Sequence, residues 1–109
     1  MIFKSLLRWL KATLTPARKI SIIVGDSLPK DLPRRNLVLC RDGDEDWSVG
    51  FRCPCGCGRR IELLLIEEAK PRWDVSVDKR ARPTLTPSVW LKDGCCSHFW
   101  VRGGKIDWC

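Results

Sequence analysis

Six residues constrain this chain more than any other stretch: Cys53-Pro54-Cys55-Gly56-Cys57-Gly58 sets three thiols at alternate positions. Neighbours that close cannot easily bridge one another as disulfides. The remaining thiols are Cys40, Cys95, Cys96 and Cys109, which makes seven, an odd number gathered mainly into two tight clusters. A secreted disulfide scaffold spreads its partners through the loops, so the pattern argues against one. Thiolates converging on a metal ion suit it better. Pro54 stiffens the turn, while Gly56 and Gly58 let backbone amides approach negatively charged sulfur.

Zinc is the metal such a cluster implies. It takes four ligands tetrahedrally, and they usually come as two closely spaced sets. The second set is Gly94-Cys95-Cys96-Ser97-His98, where Cys95 and His98 have the two-residue gap of a chelating pair. Cys53, Cys55, Cys57, Cys95 and His98 are therefore the candidate ligands, with Cys96 and Cys109 in reserve, and five candidates for four positions leave at least one with another task. Cys40, alone in Asn36-Leu37-Val38-Leu39-Cys40, reads as a small apolar side chain in a strand. His98 is the sole histidine. If four cysteines close the site, the metal is structural and His98 is available as a general base; if His98 is a ligand, a position can stay open for water.

The rest of the chain reads as one small, mainly β domain with hairpins, stabilised by zinc and preceded by an amphipathic helix. Its 109 residues suffice for one modest core. Ile2, Leu6, Trp9 and Leu10 form an apolar stripe over Met1–Leu14, and Thr15-Pro16 ends it. This divides the chain into a helix over 1–17 and a zinc-binding β domain over 18–109. The helix could pack on its own domain, dock a partner or lie on a membrane surface through residues 1–14, since basic residues flank its apolar face. Lys4, Arg8 and Lys11 interrupt the opening apolar run and no small-residue cleavage site follows, so the expected location is the reducing cytoplasm. No stretch approaches the roughly 20 apolar residues of a membrane span. The net charge of +7 suits acidic partners, but the basic residues form no long run, which argues against nucleic acid.

From Lys19 onward, eight β-rich runs alternate with turn signals: ISIIV, NLVLC, WSVGF, IELLLI, WDVSV, TLTPSVWL, HFWVR and KIDWC. A two-residue turn at Gly103-Gly104 would pair Arg102 with Lys105, Val101 with Ile106, Trp100 with Asp107, Phe99 with Trp108 and His98 with Cys109. Alternation then puts Phe99, Val101, Ile106 and Trp108 on the core face, and His98, Trp100, Asp107 and Cys109 on the other.

A base needs something to activate. Ser88, in Thr84-Leu85-Thr86-Pro87-Ser88-Val89-Trp90, is the leading hydroxyl. Ser97 is second, because as the neighbour of His98 on a strand it should point to the opposite face. Asp107 lies diagonally across the hairpin from His98, where it could orient the imidazole as the third member of a triad. Among six tryptophans, Trp100 shares the His98 face and is placed to line a groove there.

The order FRCPCGCG, PRW, TLTPSVW and GCCSHFWVRGGKIDWC, spanning most of Leu28 to Cys109, resembles a family of short bacterial proteins with an uncharacterised domain, found beside ubiquitin-like conjugation genes. Its recurring positions match Cys53, Cys55, Cys57, Ser88, Cys95, Ser97 and His98, while Cys96 is an addition here. The resemblance implies a peptidase that processes or deconjugates a ubiquitin-like protein and works alongside the conjugation enzymes. Ser88 with His98 is the favoured machinery. Two alternatives stand beside it: a zinc-bound water as nucleophile, and a non-catalytic zinc-ribbon adaptor for a protein or nucleic-acid partner.

Overall fold

The computed structural model describes residues 16–109; the helix expected over residues 1–14 lies outside them. All eight expected strands form, as β1 (Ile20–Val24), β2 (Leu37–Asp42), β3 (Glu45–Arg52), β4 (Arg60–Leu64), β5 (Asp74–Val77), β6 (Pro83–Trp90), β7 (His98–Arg102) and β8 (Lys105–Trp108). They make two four-stranded sheets, ordered β1-β2-β3-β4 and β5-β6-β7-β8. The second is an antiparallel meander. In the first, β2, β3 and β4 are antiparallel and β1 runs parallel to β2, a pairing that a tight hairpin cannot make.

Crossover 25–36 supplies that longer connection and also covers apolar surface. Alternation along β2 sends Leu37 and Leu39 into the core and Val38 to the other side, yet Val38 is buried too. Leu32 of the crossover is buried, and Leu28 lies against Gly50, the β3 residue paired with Val38. A side chain at position 50 would overlap the Leu28 methyls.

The two sheets share one core. Leu37, Leu39, Val49, Phe51, Ile61 and Leu63 of the first meet Leu85, Val89, Phe99 and Val101 of the second. Phe51 meets Phe99 edge to face, with centroids 6.2 Å apart, and Trp108 approaches Phe99 from the β8 side at 5.6 Å. The β7–β8 register is the one read from the glycine turn, from Arg102–Lys105 to Phe99–Trp108, and the Cys109 amide donates to the His98 carbonyl at 3.0 Å. No helix among the described residues is long and apolar enough to cross a membrane.

Main-chain bonds also tie the sheets at the β7–β8 turn. The Arg18 amide, just before β1, donates to the Gly104 carbonyl at 2.7 Å, and the Gly104 amide donates to Pro83 at 2.8 Å. Gly104 has φ +77°, and a Cβ there would run into the Arg18 backbone, whereas one at Gly103 (φ +56°) would meet nothing. Gly104→Ala is therefore expected to cost about 2–4 kcal/mol, left-handed strain plus backbone overlap, against about 1 kcal/mol of strain alone for Gly103→Ala. Equilibrium denaturation of the two variants checks the difference; equal losses would show that the contact between Arg18 and the turn contributes nothing.

Candidate functional site

The cysteine motif is the loop that joins β3 to β4. The last strand pair is Arg52 with Arg60, and the Cys53 amide then donates to Arg59 at 2.8 Å, closing the loop at its neck. Inside it the Gly56 amide turns back to the Cys53 carbonyl at 3.2 Å, and the Cys57 amide points at the Cys55 sulfur at 3.4 Å. Gly56 and Gly58 have φ of +94° and +80°, conformations that a side chain would resist.

Facing it is the loop between β6 and β7. Cys96 occupies a left-handed position, φ +53°, and its sulfur turns back to the Gly94 carbonyl, leaving Cys95 to point at the first loop. The sulfurs of Cys53, Cys55, Cys57 and Cys95 all lie within 4.8 Å of one another. Cys53 and Cys55 are 3.4 Å apart, and Cys53 and Cys95 are 3.7 Å apart. Four sulfurs at roughly 2.3 Å from a tetrahedral zinc would be separated by roughly 3.8 Å, so the donor set can hold a metal ion with little adjustment.

Two residues brace the loops that carry the sulfurs. Ser97 is buried, and its hydroxyl lies 3.2 Å from the Cys95 sulfur and 3.6 Å from that of Cys53. Hydrogen bonding from Ser97 brings the Cys95 thiol down to about 6, whereas burial pushes Cys53 up to about 12. The lowered thiol favours the thiolate that a metal ligand requires, and the raised one would have to lose its proton on metal binding. Arg59 links the two loops: its guanidinium donates to the Asp93 carboxylate at 2.6 Å and to the Asp93 carbonyl at 3.1 Å. Sequence reading passed over Arg59; its place directly after the motif was the only available signal.

His98 is not part of this group. It opens β7 directly after Ser97, and strand alternation turns the two side chains to opposite faces, Ser97 toward the sulfurs and His98 toward β6. There its Nε2 lies 3.0 Å from the Ser88 Oγ. The bulge in β6 makes that approach possible. Leu85 pairs with Val101 and Val89 with Phe99, so Thr86, Pro87 and Ser88 stand opposite Trp100 alone. Proline, lacking an N–H, is tolerated in such an interruption. Buried Val89 anchors the strand again, placing Ser88 and Trp90 on the outer face with His98.

Trp90 stacks on the imidazole, the rings 4.9 Å apart and inclined by 12°. The Lys92 ammonium lies over the Trp90 ring at 2.9 Å. On the far side of the bulge, the Trp73 indole N–H reaches the Ser88 carbonyl at 3.4 Å, which gives the Pro71-Arg72-Trp73 motif a positioning task that its sequence did not disclose. Asp107 shares the outer face as expected, yet its carboxylate does not meet the imidazole. It accepts from Arg102 at 2.6 Å, and that guanidinium lies over Trp100 at 4.4 Å. Among the described residues no carboxylate bonds His98. The arginine two positions along the same strand face competes for Asp107 with a fixed charge.

A small two-sheet β protein with a four-cysteine cluster on one side of β7 and a hydrogen-bonded serine and histidine on the other is thus the class that fold and geometry define. The chain belongs to the BubE family, described as the bacterial ubiquitination-like system serine protease, whose model matches residues 24–109. No curated protein and no solved structure matches it.

Two measurements probe the cluster. Cys95→Ser is expected to lower the bound transition metal at least about tenfold, while Cys96→Ser, whose thiol faces away, leaves metal content unchanged. Elemental analysis of the purified variants reads both, and equal effects would overturn the ligand set. Arg59→Ala is expected to weaken metal binding by about tenfold in competition with a chromogenic chelator, although Arg59 touches no sulfur.

Proposed function

We propose that the chain is a serine peptidase acting on a ubiquitin-like protein, with Ser88 as nucleophile, His98 as general base and a structural zinc on Cys53, Cys55, Cys57 and Cys95. The single observation that carries this reading is the 3.0 Å approach of Ser88 Oγ to His98 Nε2. It is within the range a base needs to take the hydroxyl proton, and the proton position it requires is the Nδ1–H tautomer of the imidazole. The family description supplies the substrate system.

The reaction follows from that pair. As Ser88 Oγ attacks the scissile carbonyl, its proton passes to His98 Nε2 and then to the departing amine, leaving an acyl-serine that water hydrolyses with the same histidine as base. An imidazolium forms in transit. A triad stabilises it with a carboxylate; here the stacked face of Trp90 takes that part, since an aromatic ring attracts a cation above its plane. The pair sits on an exposed sheet face between Trp90 and Trp100, and an extended polypeptide tail can lie across such a surface.

Zinc fits the sulfur-rich set better than the oxygen-seeking ions. Four thiolates complete its tetrahedron, so a metal-bound water is the weaker nucleophile for this site. The zinc instead ties the β3–β4 loop to the residues that lead directly into His98. Asp107 serves on this reading to hold Arg102 over Trp100.

Incubation with a ubiquitin-like precursor tests the assignment. Ser88→Ala and His98→Ala are each expected to lower kcat/KM at least about a thousandfold with zinc content and thermal stability unchanged. Full activity in Ser88→Ala with zinc retained would eliminate the serine mechanism. Loss of zinc from His98→Ala would make His98 a ligand instead. A wild-type protein inert toward every such precursor would favour the adaptor.

A further inference from the structure

On the other side of the β7–β8 hairpin from Ser88 and His98, a groove of about 450 Å³ opens between the cysteine loop, the segment entering β1 and strand β8. It is lined by Arg18, Arg34, Arg35, Arg52 and Lys105, with Cys53 and Cys55 of the sulfur cluster at one wall, and no carboxylate is among the described residues that line it; thiolates on a metal there would offset only part of that positive charge. Elsewhere among the described residues most arginines find acids: Arg41, Arg59, Arg60, Arg72, Arg82 and Arg102 form ion pairs, whereas Arg80 forms none. The four in the groove form none among the described residues. Arg52 donates to the carbonyls of Leu32 and Gly58, and Arg35 to that of Pro16, contacts that hold the side chains in place without cancelling their charge. Burial lowers the pKa of Arg18, and the nearby Arg35 charge lowers it further, so like charges are being held together. An arrangement of that kind is stabilised by a bound anion.

We infer that this groove is a second substrate-binding site, an exosite that captures an acidic peptide segment of the protein substrate at a distance from the Ser88–His98 pair. Guanidinium forks match carboxylates two bonds at a time. Between the charges, Trp108, Ile106 and Pro54 offer apolar carbon to the backbone and side-chain stems of a peptide. The concavity has the volume of a pocket for a few residues, whereas a duplex or a membrane is met by an extended basic surface. β8 is the edge strand of its sheet, so a folded substrate lying over that edge can set an acidic patch in the groove and its tail on the outer face. The inference rests on the proposed peptidase reading for its substrate, but the anion site itself does not.

Binding is therefore tested without turnover, on the full chain carrying Ser88→Ala, with a fluorescein-labelled octaglutamate peptide followed by anisotropy at low salt. The double variant Arg34→Glu with Arg35→Glu is expected to weaken binding at least about tenfold, and Arg34→Lys with Arg35→Lys to hold it within about threefold. Arg34 is exposed, so Arg34→Glu alone, with an expected loss of about threefold, serves should the double variant unfold. Peptide binding that is absent, or indifferent to both charge reversals, overturns the groove. Tighter arginine-dependent binding of a thymidine octanucleotide than of the peptide overturns the peptide assignment. On a cleavable protein substrate the reversals should raise KM with kcat unchanged; a fall in kcat alone would place these arginines in the chemistry and remove the exosite.

Discussion

The Cys53 and Cys95 sulfurs come to 3.7 Å from one another although 41 residues separate them in the chain, and much of the candidate site hangs on that approach. One sulfur leaves the end of β3 in the first sheet, the other sits just before β7 in the second. A small domain has little core with which to fix the relative position of two loops. A metal bound across them would do so at one point, with Arg59–Asp93 as a weaker second tie on the surface. A bound metal would thereby set the position of β7 at its first residue, alongside the packing of Phe99 and Val101 behind it.

Ser97 and His98 show how that constraint reaches the serine–histidine pair. They are consecutive, and a strand sends consecutive side chains to opposite faces. The serine braces two sulfurs while the histidine, one residue further, reaches Ser88. A shift of one residue in this strand would exchange them, taking the imidazole to the sulfurs and the hydroxyl to the outer face. The register of β7 against β6 and β8 therefore separates the sulfur cluster from the serine–histidine pair. Arg102 and Asp107 occupy the same outer face but are occupied with one another, which leaves the imidazole to the stacked indole of Trp90.

The surface has two sides of different character. Trp90 and Trp100 flank the serine and histidine on one, and arginines without acidic partners gather on the other, so the net charge of +7 is not spread evenly. Basic residues form no run along the chain, yet Arg18, Arg34, Arg35 and Arg52 come from three separate stretches that the folding of the segment before β1 against the cysteine loop brings together.

Local patterns were enough for every strand among the described residues, for the register of the last hairpin and for the membership of Cys53, Cys55, Cys57 and Cys95 in one cluster. Periodicity, turn glycines and thiol spacing are short-range signals, and each follows from backbone geometry a few residues long. What the sequence by itself left open was the partner of His98, because a cysteine two residues upstream of its neighbour and a strand face shared with Asp107 suit a ligand, a base and a triad alike. The tertiary structure decided that partner: the β6 bulge turns Ser88 toward the imidazole, a placement with no local signature because it depends on β6 lying beside β7 in two sheets packed on one core.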